Sequence, residues 1–484
     1  MGQLLSISPK SARRVLPHKS EGDITDSTSD LGPPQTGLNG LPRLKKARGH
    51  YWYPANGPKI LDACGGAGVA CLGHGRQDII RAVNAQMSSY TYASYAHFKT
   101  SPVQELSDWL IKSTEHKMQK VYIMSSGSEA IEAALKLAIE YFLWTGQPAR
   151  TNFIAREGSY HGTTLGALSA SGHVVRRAPF HALLVPERFH RVSACNPYRQ
   201  RLTSNESDAA FVARKVAELE AAFARLGPET VAGVVLEPVV GAALGCVPAA
   251  PGYLAAVKAV CDRHGALLIL DEVMCGMGRT GTLHAWQGER EEEGPEGGVG
   301  VVPDLQAVAK GFAGGYQPAS ALLVGGKVAG VMEREGKVFT HGHTYQNHPV
   351  VAAAALAVQK AVEREGLLAN VRVQGRLLER LLRERLGAHP NVGDIRGKGL
   401  FWGVEFVRDK ATKEPFEPGL GVAERVQKAA VREFKVLVYH GQGCAGGGRG
   451  DHIMIMPAYT ISSKLVVEIV ERVVCAVDEV FRAL

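Results

Sequence analysis

The chain has 484 residues and 45% apolar content, enough for a large core and for roughly two to four domains. Its net charge of +8, from 55 basic and 47 acidic residues, is modest for this length and shows no concentration of basic residues of the kind that binds nucleic acid. No apolar run reaches the ~18 residues needed to span a bilayer, and eight cysteines without a CxxC pair or metal-like spacing predict reduced thiols in an intracellular, cytoplasmic protein.

Residues 1–47 read as a disordered tail, because Ser, Thr, Pro, Gly and Asp dominate from Ser20 to Gly40 and bury too little apolar area to fold. Two targeting patterns lie within it. Gly2 with Ser6 fits N-myristoylation, and Lys10, Arg13, Arg14 and Lys19 would add the electrostatic signal of a membrane-associated protein. The first 20 residues also lack acids and hold Ser and Arg, as a mitochondrial presequence does.

The body begins near Gly49. Residues 59–63 read as a strand, 64–68 as a turn, and a helix starts near Gln77. His74, between glycines, is expected to be a structural hydrogen-bonding group. A helix is predicted over 102–112 and a strand over 121–124. Ser125, Ser126, Gly127 and Ser128 follow, and then a strong helix from Glu129. That junction offers free N–H groups and a helix dipole to a phosphate, and Ser126 or Ser128 also suits a helix cap.

Three further strands end in residues capable of chemistry. Residues 152–155 lead to Tyr160 and His161. Residues 234–236 end in Glu237. Residues 266–270 are wholly apolar and end in Asp271 and Glu272. Such a run predicts a strand buried on both faces of a parallel sheet, with its acid at the carboxyl edge where α/β sheets bind ligands. Helix capping by Asp271 is the plain alternative for that stretch alone, but capping explains the whole set poorly. Residues 288–300 form an acidic, Gly-rich insertion expected to be a solvated loop. Residues 303–309 form a strand that delivers Lys310, where desolvation would lower the amine pKa and create a nucleophile.

The loop at 339–348 holds His341, His343 and His348. No carboxylate or cysteine stands nearby at ligand spacing, so no metal is expected. An Ala-rich helix follows at 350–362, and then a smaller α+β region. Its predicted parts are an amphipathic helix at 376–386, a strand at 400–406, a Gly-rich loop at 444–450 and a strand at 453–456.

Taken in order, Ser126-Gly127-Ser128-Glu129-Ala130, Tyr160-His161-Gly162, Glu237-Pro238, Asp271-Glu272-Val273, Gly276-Met277-Gly278-Arg279-Thr280-Gly281, Lys310-Gly311 and His341-Gly342-His343-Thr344 before Asn347-His348-Pro349 resemble the class III aminotransferases. This pyridoxal 5'-phosphate family includes ornithine, 4-aminobutyrate, diaminopelargonate and ω-amino-acid enzymes. The resemblance implies an α/β chain of fold type I. A large cofactor-binding domain over 101–345 would hold a mostly parallel, seven-stranded sheet between helices. A smaller α+β domain would come from 48–100 and 346–484.

It also implies roles. Lys310 would form the Schiff base and shuttle the proton, Asp271 would pair with the pyridine nitrogen, and Ser126, Gly127 and Ser128 would bind the phosphate. Tyr160, beside His161, would stack on the ring, with Val273 on the other face, and Glu237 would orient groups nearby. Thr344, with His343, would reach the phosphate of the neighbouring subunit, which requires a homodimer. An amine or ω-amino acid (or amino acid) donor would pass its amino group to a 2-oxo acid by ping-pong kinetics.

The chain departs from the family pattern at two places. Met274 stands where many members carry Gln. No Arg directly precedes Pro457, which leaves Arg449 as the candidate for the substrate carboxylate and Tyr92 as a second substrate candidate. A racemase, aminomutase or decarboxylating enzyme on the same scaffold is the first alternative. A silent binding protein is the second, and retained Lys310 and Asp271 argue against it.

Overall fold

Strands that are apolar throughout have to be covered on both faces, and in the computed structural model that requirement is met by helices. The structure describes residues 42–288 and 301–484. The targeting patterns, most of the expected tail and the acidic insertion from residue 289 lie outside the described residues. The Leu267–Asp271 strand is buried along its whole length, at the centre of a seven-stranded sheet. Its order is Met118–Met124, Ser320–Gly325, Leu305–Ala309, Leu267–Asp271, Val231–Leu236, Asn152–Arg156 and Phe189–Val192. Side chains alternate across it. Leu267 and Ile269 pack in one core with residues of the Gly127–Trp144 and Gly326–Arg334 helices. Leu268 and Leu270 pack in another with the Asp208–Leu226 and Tyr253–His264 helices.

Leu267–Asp271 runs parallel to both neighbours, and the parallel set continues to Phe189–Val192. Ser320–Gly325 is antiparallel to the strands on either side of it, so Met118–Met124 points the same way as the parallel set. The strands that precede Ser125, Glu157, Glu237, Glu272 and Lys310 therefore all end on one edge. Two strands of this sheet, Phe189–Val192 and Ser320–Gly325, have no counterpart in the sequence reading. Phe189–Val192 is a short edge strand with buried ends and a half-covered middle, and Ser320–Gly325 is masked by the turn chemistry of Gly314, Gly315 and Pro318 before it.

The N-terminal strands and the C-terminal part share a second sheet. Leu44–Arg48, Tyr51–Pro54 and Ile60–Asp62 form an antiparallel ribbon, and Ile60–Asp62 then pairs in parallel with Val436–Leu437. Leu44–Arg48 lies partly inside the stretch expected to be tail. Its Lys46 stands over the Tyr53 ring at 5.0 Å, and cross-strand pairing rather than burial holds it. A third sheet, wholly antiparallel, joins Val392–Lys398, Phe401–Phe406, Arg449–Ile455 and Tyr439–Gly446. It packs with the Leu367–Leu386, Val422–Arg432 and Ser463–Arg482 helices over one core. The expected Gly-rich loop at 444–450 is mostly strand. Gly446 pairs with Arg449 across a two-residue turn, where Gly447 and Gly448 both have positive φ. The amphipathic helix expected at 376–386 starts earlier, at Leu367, just after Gly366 in left-handed conformation. His74 has the structural role expected of it: its Nε2 lies 2.8 Å from Asp62 Oδ2.

Candidate active site

The carboxyl edge of the large sheet opens into a cavity of about 450 Å³. Ser125, Ser126, Gly127, Ser128, Tyr160, His161, Glu237, Asp271, Val273 and Lys310 all line it.

The helix Gly127–Trp144 begins at its wall. Ser126 Oγ accepts the Glu129 N–H at 3.2 Å, and Glu129 Oε2 accepts the N–H groups of Ser126 at 3.1 Å and Ser125 at 2.8 Å, a reciprocal cap. The cap leaves the N–H groups of Gly127 and Ser128 without a partner among the described residues, as the first turn of a helix must. Gly127 is required here: a Cβ would sit 2.8 Å from Val273 Cγ1. Gly162, with φ +137°, approaches so closely that a Cβ would lie 2.6 Å from Ser128 Oγ. Ser128 Oγ accepts the Thr163 N–H at 3.0 Å, which ties the two loops together.

Asp271 is 4% exposed. Its Oδ1 accepts the Val273 N–H at 3.0 Å, and its Oδ2 lies 2.8 Å from His161 Nδ1. His161 Nε2 is buried without a partner among the described residues. Glu237 is 5% exposed; its carboxylate accepts N–H groups from Tyr160 at 3.1 Å and Gly241 at 2.9 Å. Burial first, and then the nearby Asp271 charge, raise the Glu237 pKa, while His161 and the two N–H groups oppose this. Lys310 is half-buried and has φ +51°, a left-handed conformation that L-residues adopt at a cost. Burial lowers its amine pKa, against the attraction of Asp271 and Glu237. The lowering brings the free amine closer to neutral pH, which a nucleophile or base requires.

The cavity thus holds an amine, two buried carboxylates, and a helix start with free N–H donors. These suit pyridoxal 5'-phosphate: the helix start for the phosphate, Asp271 for a ring nitrogen, and Lys310 for the aldehyde. Tyr160 carries the Arg176 guanidinium over its ring at 4.6 Å, a contact for which the sequence offered no signal. Val69, Ala242, Met274, Gly315 and Gln317 also line the cavity. Met274 is the residue at the position read as a departure from the family pattern. Gln317, in a Gly-Tyr-Gln-Pro turn, had no distinguishing pattern around it.

Four candidates stand elsewhere in this chain. Arg449 lies 3.3 Å from both Glu414 and Glu417 and does not line the cavity; the hairpin turn before it hands its charge to those carboxylates. Tyr92 is 43% exposed and donates its hydroxyl to the Thr344 carbonyl at 3.0 Å. Thr344 itself is exposed. His343 Nε2 lies 3.8 Å from Glu129 Oε2, next to the helix cap but outside the cavity lining.

Comparison with known proteins agrees with this geometry. The family model "Aminotransferase class-III" matches residues 36–477. An aminotransferase of Gibberella zeae is 47% identical over 421 residues, covering 87% of this chain and 80% of its own. Vanillin aminotransferase of Capsicum frutescens is 33% identical over 431 residues, 87% of either chain. The crystal structure of an amine transaminase from an uncultivated Pseudomonas species, in a PLP-bound form, superposes with TM-score 0.84 at 30% identity, covering 95% of this chain and 99% of its own. The chain belongs to the class III aminotransferases, the pyridoxal-phosphate-dependent transaminases of fold type I.

Proposed function

We propose that this cavity moves an amino group from an amine or ω-amino acid donor to a 2-oxo acid, with Lys310, Asp271 and Glu237 as its working groups. One observation carries the reading: the Lys310 amine, the Asp271 carboxylate and the open helix start at Gly127 and Ser128 all line the same cavity. The bound cofactor supplies an aldehyde that takes the donor nitrogen and a ring that accepts electrons from the donor carbon. Lys310 would hold the cofactor through its amine and, once released, would carry a proton from the donor carbon to the cofactor. Asp271, held by His161 and the Val273 N–H, would keep the ring nitrogen protonated. The N–H groups of Gly127 and Ser128 would hold the phosphate. Tyr160 and Val273 would face the ring, and Glu237 keeps Tyr160 in place by accepting its backbone N–H. Arg449 is engaged by Glu414 and Glu417 and lies off the cavity lining, so it is not placed to take a donor carboxylate, which favours amines and ω-amino acids over α-amino acids as donors.

A homodimer belongs to this reading. Tyr92, Tyr95 and Tyr345 are exposed at 43%, 44% and 62%, and the Tyr92 and Tyr345 rings lie 6.4 Å apart. Such an aromatic patch marks an interaction surface, and it carries Thr344 and His343 with it, which would complete the partner's phosphate site. A cytoplasmic setting is also part of the reading; eight unpaired cysteines support it. Among the described residues no helix is long and apolar enough to cross a membrane.

The test is visible absorbance of the purified protein before and after borohydride, with peptide mapping. A yellow band that reduction fixes onto Lys310 is expected, followed by turnover of amines with pyruvate or 2-oxoglutarate. A colourless protein that takes up no added cofactor sinks the enzyme reading. Turnover that needs no keto acid acceptor moves the assignment to a racemase, aminomutase or decarboxylating enzyme. Light scattering tests the dimer, and a monomer would remove the role given to Thr344.

A further inference from the structure

A second pocket of about 530 Å³ lies beside the cofactor cavity and shares no lining residue with it. The two adjoin along the chain, since Ala242 lines the first while Ala243 and Leu244 line the second. The turn of the Tyr439–Gly446 and Arg449–Ile455 hairpin forms one wall, and the Val174–Arg177 helix forms another. These walls touch: a Cβ on Gly448 would meet Val175 Cγ2 at 3.2 Å.

The charges in this pocket are not balanced. Three arginines line it: Arg177, Arg191 and Arg199. Arg199 is neutralised by Glu405, with Nε to Oε1 at 2.7 Å. Arg177 and Arg191 pair with no carboxylate among the described residues. Arg191 donates only to the carbonyls of Ser169 and Ser171. Arg177 Nε is buried with no partner among the described residues. Burial, and then the Arg177 charge, push the Arg191 pKa down to about 10 against the attraction of Glu157, and burial lowers that of Arg177. Both guanidiniums remain charged at neutral pH, and the shifts express their burial. His173, also in the lining, is held neutral by burial and by Arg176. The one carboxylate in the lining is Glu157, which is exposed. Asn196 adds a neutral donor. It is 2% exposed and its Oδ1 accepts the Arg199 N–H at 3.3 Å, while its amide nitrogen has no partner among the described residues.

Half-buried guanidiniums without a counter-ion are costly unless an anion joins them. The guanidinium fork matches the oxygens of a carboxylate or phosphate in bidentate fashion. A volume of this size suits a small molecule, since ligand pockets run roughly 300–1,000 Å³. We propose that this pocket is an anion-binding site that takes a small molecule through a carboxylate or phosphate group held by Arg177 and Arg191, with Asn196 as a further donor.

The test uses the cofactor-loaded protein, titrated by calorimetry at low salt with inorganic phosphate and, separately, with citrate. Visible absorbance is followed throughout, so that displacement of the cofactor is seen directly. At least one anion is expected to bind with a Kd of about 1 mM or below and with absorbance unchanged. Binding should weaken tenfold or more in Arg177→Gln and in Arg191→Gln. Arg177→Lys, which keeps the charge and loses the fork, should weaken it less. Binding of phosphate alone points to a phosphate-bearing ligand, and binding of citrate alone to a polycarboxylate. A wild-type protein that binds neither anion up to about 10 mM overturns the proposal without any variant. Binding that survives in both glutamine variants overturns it too, because the anion then sits elsewhere.

Discussion

Replacing Asp271 with asparagine separates the architectural role of this residue from its electrostatic one. The side chain keeps its shape, and its oxygen can still accept the Val273 N–H, now 3.0 Å away. The contact to His161 Nδ1 at 2.8 Å becomes neutral instead of charge-assisted, a loss of about 0.5–1.5 kcal/mol. Removing a carboxylate that is 4% exposed also relieves a desolvation cost. Stability should therefore move little, by a few degrees at most in melting midpoint. Catalysis should move far more. A unit charge about 4 Å from a protonated ring nitrogen contributes about 4 kcal/mol at an effective dielectric of about 20. That is about a thousandfold in rate. The assay is kcat/KM for a good amine donor with a 2-oxo acid, beside a thermal melt of the cofactor-loaded protein. A drop of a hundredfold to a thousandfold with an almost unchanged melt is expected. Because the Asp271 charge also raises the Glu237 pKa, any limb of the pH–rate profile set by Glu237 should move to lower pH. A D271N protein within tenfold of wild type would refute the pairing of Asp271 with the cofactor ring.

Lys310→Asn should remove the reducible yellow band and turnover together. Asparagine tolerates the φ of +51° at this site, so the melt should hold; residual borohydride labelling would show that another lysine carries the cofactor. Gly162→Ala places a Cβ 2.6 Å from Ser128 Oγ and 2.9 Å from its Cα. Overpacking of this kind costs about 1–3 kcal/mol and should weaken cofactor affinity as the helix start shifts, which fluorescence titration would read. Ser126→Ala removes one arm of the helix cap and should cost about 1 kcal/mol in denaturant unfolding; no loss would mean that the cap contributes nothing to stability. His284 is fully buried, its ring nitrogens 2.9 Å from Ser113 Oγ and Gln306 Nε2, and burial lowers its pKa to about 3 from 6.5. The unfolded chain then binds the extra proton first, so this contribution is complete above about pH 6.5 and is lost as pH falls toward 3. Between those values wild type should lose up to about 1.4 kcal/mol per pH unit relative to His284→Gln; parallel stability curves would rule that out.

Several of these features were legible in one dimension. A run such as Ala266 to Leu270 has no polar alternation, so it has to be covered on both faces, and the residue that ends it has to emerge at an edge. The same local reasoning reached Lys310, Glu237 and the helix start at Ser126, because each is a polar residue directly after a buried strand. Where alternation and burial are weak a strand leaves no local signal, and the apolar Ser320–Gly325 is hidden instead by the Gly and Pro turn residues before it. Phe189–Val192 is half-covered at an edge, and Leu44–Arg48 is held by pairing with Tyr51–Pro54 rather than by burial.

The sequence by itself determined that Leu267–Asp271 is buried on both faces, which residues emerge at the ends of the apolar strands it showed, and the family to which the order of those residues belongs. Only the tertiary structure decided who meets whom. Ile60–Asp62 pairs with Val436–Leu437 from the far end of the chain. Arg449 is claimed by Glu414 and Glu417, and Arg199 by Glu405, while Arg177 and Arg191 make no ion pair with a carboxylate among the described residues. The physical reason is that burial is set by a residue's own character and its period along the chain, and so is written locally. A charge acquires its partner only through the chain's return from a distance, and every arginine looks alike until then.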